Sequence, residues 1–254
     1  MRLLNLRFFQ PGTAFWDRRA TSLEDLATQP IRDSIEMGFT DRVGGVDSLL
    51  RRMRALQYYP ELFSIAFGDD GITDERLRRA LAQYLRSIIS RDSRFDRGLA
   101  SIRGNFATMH TPFPDFTPEE NRGKFLFMTI RVNGGLQCVE CHEGPSLTLI
   151  GTARSNGLDS TETRIFRAPS LKSVATSWHF MHDGRFSSLE QVIEFYNSGV
   201  QPSPVLDRTL MDVNRKPRRL GLSAADKAAL VAFLKTLTDD KTPFEARFSD
   251  PFRR

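Results

Sequence analysis

The clearest periodicity along the chain lies near its end. In SAADKAALVAFLKTL, Leu230, Phe233, Leu234 and Leu237 fall on one helical stripe, with Ser223 placed as N-cap. A second helix is predicted from Pro118. Thr117 is its cap, Glu120 the capping-box acid, and Gly123, Phe127 and Met128 continue it until Asn133-Gly134-Gly135 breaks the pattern. A long helical stretch covers Thr73 to Arg91. Two further helices are predicted to start after Ser22 and Ser188, each with an acid in the first turn. The fold class read from this pattern is all-α.

Composition narrows the class. At 254 residues, with 40% hydrophobic and 26% charged positions, the chain has the balance of a folded protein of about two domains. No run approaches the roughly 18 apolar residues of a spanning helix, so no transmembrane segment is expected. The first residues, MRLLNLRFFQPGTAFW, are interrupted by Arg7, Gln10 and Pro11 and make a poor signal peptide. The net charge of +5 comes from arginines interspersed with acids, without a zinc-finger or helix-turn-helix pattern. A nucleic-acid partner is not expected.

The two cysteines carry the chemistry. Cys138-Val139-Glu140-Cys141-His142 has the C-x-x-C-H spacing of covalent haem c attachment. The spacing lets two thiols add to the two vinyl groups of the porphyrin, while the adjacent histidine reaches the iron as proximal ligand. A redox dithiol does not need that histidine. A structural zinc ion needs four ligands, and only His110, His179 and His182 remain beyond the motif. Helix, attachment loop, long wrapping segment and final helix predict a complete haem domain at 117–254. Residues 1–116 are then expected to be the remainder of another domain.

An internal echo supports two related halves. AFWDRRATSLEDL (14–26) aligns without a gap with FMHDGRFSSLEQV (180–192), at an offset of 166 residues. Asp17 matches Asp183, Arg19 matches Arg185, and Ser22-Leu23-Glu24 matches Ser188-Leu189-Glu190.

With these segments in hand, the chain resembles the bacterial dihaem cytochrome c peroxidases, and more closely their MauG-like branch. The resemblance runs through FWDRRATSLEDLATQPIRDSIEMG, the stretch ending SRDSRFDR, RG to CVECHEGPSLT, FRAPSL, MHDGRFSSLEQVIEFYNSG and LSAADKAALVAFLKTL. It implies two cytochrome-c-like domains, here the first incomplete and the second complete. The segment bearing the first, peroxidatic haem motif is expected to be missing, so that this chain holds one covalent haem where the family has two.

The resemblance also implies roles. Cys138, Cys141 and His142 would hold the electron-transfer haem, with Tyr196 as its other axial ligand; Met181 and Met211 are the alternatives. Trp16 would lie on the electron path, and Glu36 would move protons at the peroxidatic haem. Ser177 and His179 would offer backbone carbonyls to a calcium ion. Arg18 stands where the family's F-W-D-G-R motif has glycine, so either the turn after Trp16 is expected to be altered or the first site to be relaxed. The implied activity is reduction of hydrogen peroxide to water with electrons from a small cytochrome c or copper protein. The alternatives are MauG-like oxidation of a protein substrate and a monohaem electron-transfer protein without peroxidase activity. A periplasmic location is implied by haem c, and a homodimer is compatible with the family.

Overall fold

The computed structural model describes residues 3–8, 14–105, 108–148 and 154–250. Among them the chain is all-helical, as its periodicity predicts. It has eight α-helices joined by short 3-10 turns and isolated bridges, with no sheet: α1 (Leu23–Arg32), α2 (Gly45–Arg54), α3 (Tyr58–Phe67), α4 (Asp74–Ser87), α5 (Arg94–Ser101), α6 (Pro118–Met128), α7 (Leu189–Glu194) and α8 (Ala224–Lys235). The end signals work as read. Thr117 and Glu120 form a reciprocal capping box on α6, and Ser223 accepts from the Asp226 amide at the start of α8.

Two compact units divide the chain, one of residues 12–88 and the other of residues 1–11 with 89–254. This corrects the division at 116/117. Phe95 and Leu99 of α5, with Phe113 and Phe116 of the following loop, are buried in the same core as Leu126, Phe127, Phe233 and Leu234. Phe95 meets Phe233 edge-on at 5.9 Å. Residues 89–116 therefore fold with the C-terminal helices, since their aromatic side chains are withdrawn from water in that shared core.

The smaller unit packs α1 to α4 around Ile31, Val46, Leu50, Met53, Phe63, Ile72 and Leu77. Glu24 on α1 and Arg86 on α4 pair at 2.8 Å.

In the larger unit α6 crosses α8 with backbones nearly touching. A Cβ on Gly123 would stand 1.9 Å from the Ala229 carbonyl oxygen. Two lysines enter this core. Lys172 pairs with Asp96, whose other oxygen caps α5. Lys124 has no carboxylate among its described partners. It donates to the Met109 and Thr111 carbonyls and lies 4.3 Å from the centre of the Phe113 ring, and burial pushes it down to about 8.

Asp239, 1% exposed, ties the ends of this unit together. Its carboxylate accepts from the amides of Arg91 (2.9 Å), Asp92 (3.2 Å), Lys241 (3.0 Å) and Thr242 (3.1 Å) and from the Thr242 hydroxyl. Burial alone would raise its pKa; these donors outweigh burial and hold the group well below the usual carboxylate range. A depressed folded pKa stabilises above the unfolded value of about 4 and ceases to do so as pH falls through the folded one. Asp239→Asn is expected to cost about 2–4 kcal/mol at pH 7. In urea denaturation the gap to wild type should be smaller at pH 3; an equal gap at both values would place the effect elsewhere.

The internal echo is structural as well as textual. Ala14 bridges Ala20, and Phe180 bridges Phe186. Ser22 caps α1 by accepting from Asp25, and Ser188 caps α7 by accepting from Gln191. Asp17 pairs with Arg19 and Asp183 with Arg185. Phe15 and Met181 both have φ +68°, and Arg18 (+62°) adopts the left-handed conformation of its counterpart Gly184 (+76°). The turn at Arg18 is thus retained, against the first of the two expectations, at the steric cost of about 1 kcal/mol that a side chain meets there.

Candidate haem site

The attachment motif is built by a reversal at the end of α6. The short 3-10 turn Arg131–Asn133 ends on Gly134 at φ +85°, and Gly135 sits so close beneath the Thr129 carbonyl that any side chain would collide with it. The returning chain is tied to the end of α6 by Leu136 N to Leu126 O (2.7 Å) and Gln137 N to Thr129 O (3.0 Å). Gln137, at φ +68°, then starts the turn Cys138–Glu140. The Cys138 carbonyl accepts from the amides of both Cys141 and His142 at 3.2 Å. One tight turn therefore presents both thiols and the histidine.

Both cysteines are free thiols and half-buried. Desolvation, with Cys141 adding to it, pushes Cys138 up to about 12, opposed by Arg218; desolvation also raises Cys141, with Asp207 adding to it and Arg154 opposing. These are the reverse of the lowered values of a redox dithiol. Among the described residues no group of three or more His, Cys, Asp or Glu could hold a metal ion. Protonated thiols beside a histidine suit addition across vinyl groups, so the donor set fits haem c.

His142 is set for ligation. Its Nδ1 lies 3.4 Å from the Leu147 carbonyl. A carbonyl can only accept, so this contact is a hydrogen bond when Nδ1 carries the proton, and the Pro169 carbonyl is a second partner of the ring. Burial pushes the ring down to about 4, which leaves it neutral at neutral pH. Phe127 of α6 backs it at 6.0 Å. The Phe166–Leu171 segment closes the loop behind it, through Leu171 N to Leu147 O at 3.1 Å and the Thr148 hydroxyl to Ala168 O at 3.2 Å.

Tyr196 lies in a π-helical turn, Phe195–Gly199, where α7 widens. With Met181 and Met211 it packs on a small cluster of Leu158, Phe195, Val200 and Leu206. All three candidate distal residues thus share one cluster. Burial pushes Tyr196 up to about 12, and the cysteine thiols are near enough to bear on its ionisation. The Asn156 amide nitrogen, with two hydrogens, reaches both Tyr196 Oη (3.5 Å) and Met181 Sδ (3.4 Å). Asn156 and Arg218 are absent from the sequence reading. Nothing in their local spacing distinguishes them, and only the folded wrapping segment brings them to the motif.

The other residues divide between the units. Ser177 is half-buried and His179 exposed, with His179 Nδ1 3.2 Å from the Gly184 carbonyl, in the larger unit. Trp16, half-buried in the turn before α1, and Glu36, exposed after it, belong to the smaller unit.

The family described as di-haem cytochrome c peroxidase matches residues 1–103, a stretch that ends before the attachment motif. Methylamine utilization protein MauG of Methylorubrum extorquens is 31% identical over 251 residues, covering 92% of this chain and 63% of that protein. Cytochrome c551 peroxidase of Nitrosomonas europaea is 25% identical over 254 residues, covering 93% and 65%. The crystal structure of a MauG-like protein associated with microbial copper homeostasis matches with TM-score 0.75 at 26% identity, over 95% of this chain and 76% of that one. The chain spans a little under two-thirds of the length of these curated relatives.

Proposed function

The chain belongs to the MauG-like dihaem cytochrome c peroxidase family, and on that footing we propose that its larger unit is a haem c electron-transfer module of a peroxidase. Cys138 and Cys141 would anchor the haem, His142 would hold the iron through Nε2, and Tyr196 would serve as the other ligand. The observation that carries this reading is the arrangement of His142, neutral with Nδ1 turned to the Leu147 carbonyl, directly behind two protonated thiols on one turn.

Bound haem would supply one-electron redox chemistry and, at a peroxide-binding iron, cleavage of the O–O bond. The chain's own residues supply the rest. The core behind His142 fixes the ring and excludes water, Asn156 orients the Tyr196 hydroxyl, Trp16 offers an aromatic step for electrons, and Glu36 moves protons. Hydrogen peroxide takes two electrons and two protons to give two waters, the electrons coming from a small cytochrome c or copper protein in the periplasm. Calcium on the Ser177 and His179 carbonyls belongs to the same reading. MauG-like oxidation of a protein substrate is the variant favoured by a tyrosine at position 196. A monohaem electron-transfer role is favoured by the one C-x-x-C-H in these 254 residues.

The test is haem stoichiometry and peroxide consumption, on protein exported with a leader in a host that matures haem c. One covalent haem without peroxide turnover selects the monohaem role, and turnover selects the peroxidase. A folded, exported chain without covalent haem overturns both. Tyr196→Met is expected to raise the reduction potential by at least ~0.1 V, since a thioether favours ferrous iron and axial ligands span roughly 0.8 V. An unchanged potential in a spectroelectrochemical titration would remove Tyr196 from the iron.

A further inference from the structure

The segment from Arg208 to Arg219 closes on itself through a bridge between Met211 and Pro217. Five of its twelve residues are Arg or Lys against one acid, Asp212. Asp212 is occupied by its own turn, accepting from the amides of Asn214 (2.8 Å) and Lys216 (2.9 Å). Among the described residues, Arg208, Arg215, Lys216, Arg218 and Arg219 have no carboxylate within ion-pair distance. Arg208, Arg215, Lys216 and Arg219 are exposed, and Val213 at the tip is 97% exposed.

This hairpin is fastened to the attachment motif. Arg218 donates to the Leu136 carbonyl at 3.4 Å, two residues before Cys138, and the Thr209 hydroxyl donates to Asp207 at 2.6 Å, just before the hairpin. Arg131, whose Nε donates to Gln137, adds a further positive charge beside Arg218. Of the nearby acids, Asp207 is paired with Arg154 and Glu140 accepts from Gln137. The edge of the attachment site is therefore cationic, with an apolar tip at its outermost point. Such a surface accelerates encounter with a partner of opposite charge by about 10- to 1,000-fold at low salt.

We propose that the Arg208–Arg219 hairpin is the docking surface for an acidic small redox protein, which meets the exposed cations with its carboxylates and Val213 with an apolar patch. This rests on the haem reading above. On docking, the reduced partner gives up one electron and the ferric haem takes it up, with no bond or proton changing hands.

The test uses haem-loaded protein in stopped flow, with a reduced acidic flavodoxin and a reduced basic monohaem cytochrome as donors. A neutral hydroquinone serves as the small-molecule control. The flavodoxin rate is expected to fall steeply with added salt. It should also fall at least about 10-fold at low salt in the Arg208→Glu/Arg215→Glu/Lys216→Glu variant, while the hydroquinone rate and the haem spectrum stay unchanged. The basic donor should show no such loss. Covalent haem with equal flavodoxin rates in variant and wild type would overturn the docking surface alone. Absence of covalent haem would overturn the haem reading beneath it.

Discussion

Replacing both Cys138 and Cys141 by alanine is expected to abolish covalent haem and to lower the melting temperature by about 10 °C. The two thiols sit on a single turn closed by the Cys138 carbonyl, so both anchors go while the backbone conformation is kept. His142 and Tyr196 would remain, but only as dissociable ligands. A cofactor present at about 1,000 times its dissociation constant stabilises the folded state by about 4 kcal/mol, and each kcal/mol moves the midpoint about 2–4 °C in a chain of this size. Mass spectrometry after acid–acetone extraction reads the first effect and calorimetry the second. Covalent haem retained in the double variant would show that these cysteines are not its anchors.

Gly123→Ala is expected to destabilise the larger unit by about 3 kcal/mol, near the upper end for overpacking, because the contact is with backbone. The new Cβ would meet the Ala229 carbonyl oxygen at 1.9 Å, its carbon at 2.5 Å and Phe233 Cβ at 2.8 Å. Neither α6 nor α8 can yield there without moving Phe127 and Phe233, whose rings lie 5.3 Å apart behind His142. Helix propensity alone gives the opposite sign, since Ala in a helix interior is better than Gly by about 1 kcal/mol. Chemical denaturation thus decides between the two by direction. A more stable variant would mean that the helices are not in backbone contact at Gly123.

Legibility differed by the range of the interaction. The capping box of α6, the Ser223 cap and the C-x-x-C-H turn are each complete within about five residues, and each is present as read. The echo at offset 166 was readable because each copy is a self-contained turn and helix start. The structure adds that even its left-handed positions repeat, Arg18 with Gly184 and Phe15 with Met181.

The division of the chain was not legible. Nothing local in RFDRGLASI says that Phe95 and Leu99 will enter a core with Phe233, nor that Asp96 will meet Lys172. The partners of the site share this property. Asn156 reaches Tyr196 across 40 residues and Arg218 reaches Leu136 across 82, with no periodicity linking either pair.

The sequence by itself determined the all-helical class, the capped starts of α1, α4, α6, α7 and α8, and the C-x-x-C-H spacing. Each rests on side chains acting within a turn of their own backbone or on a spaced run of donors. Only the tertiary structure decided that residues 89–116 fold with the C-terminal helices, that Tyr196, Met181 and Met211 share one cluster, and that Arg218 of the cationic hairpin reaches the chain just before the attachment motif. These depend on which distant surfaces exclude water together, and burial is set by the whole packed chain rather than by any segment of it.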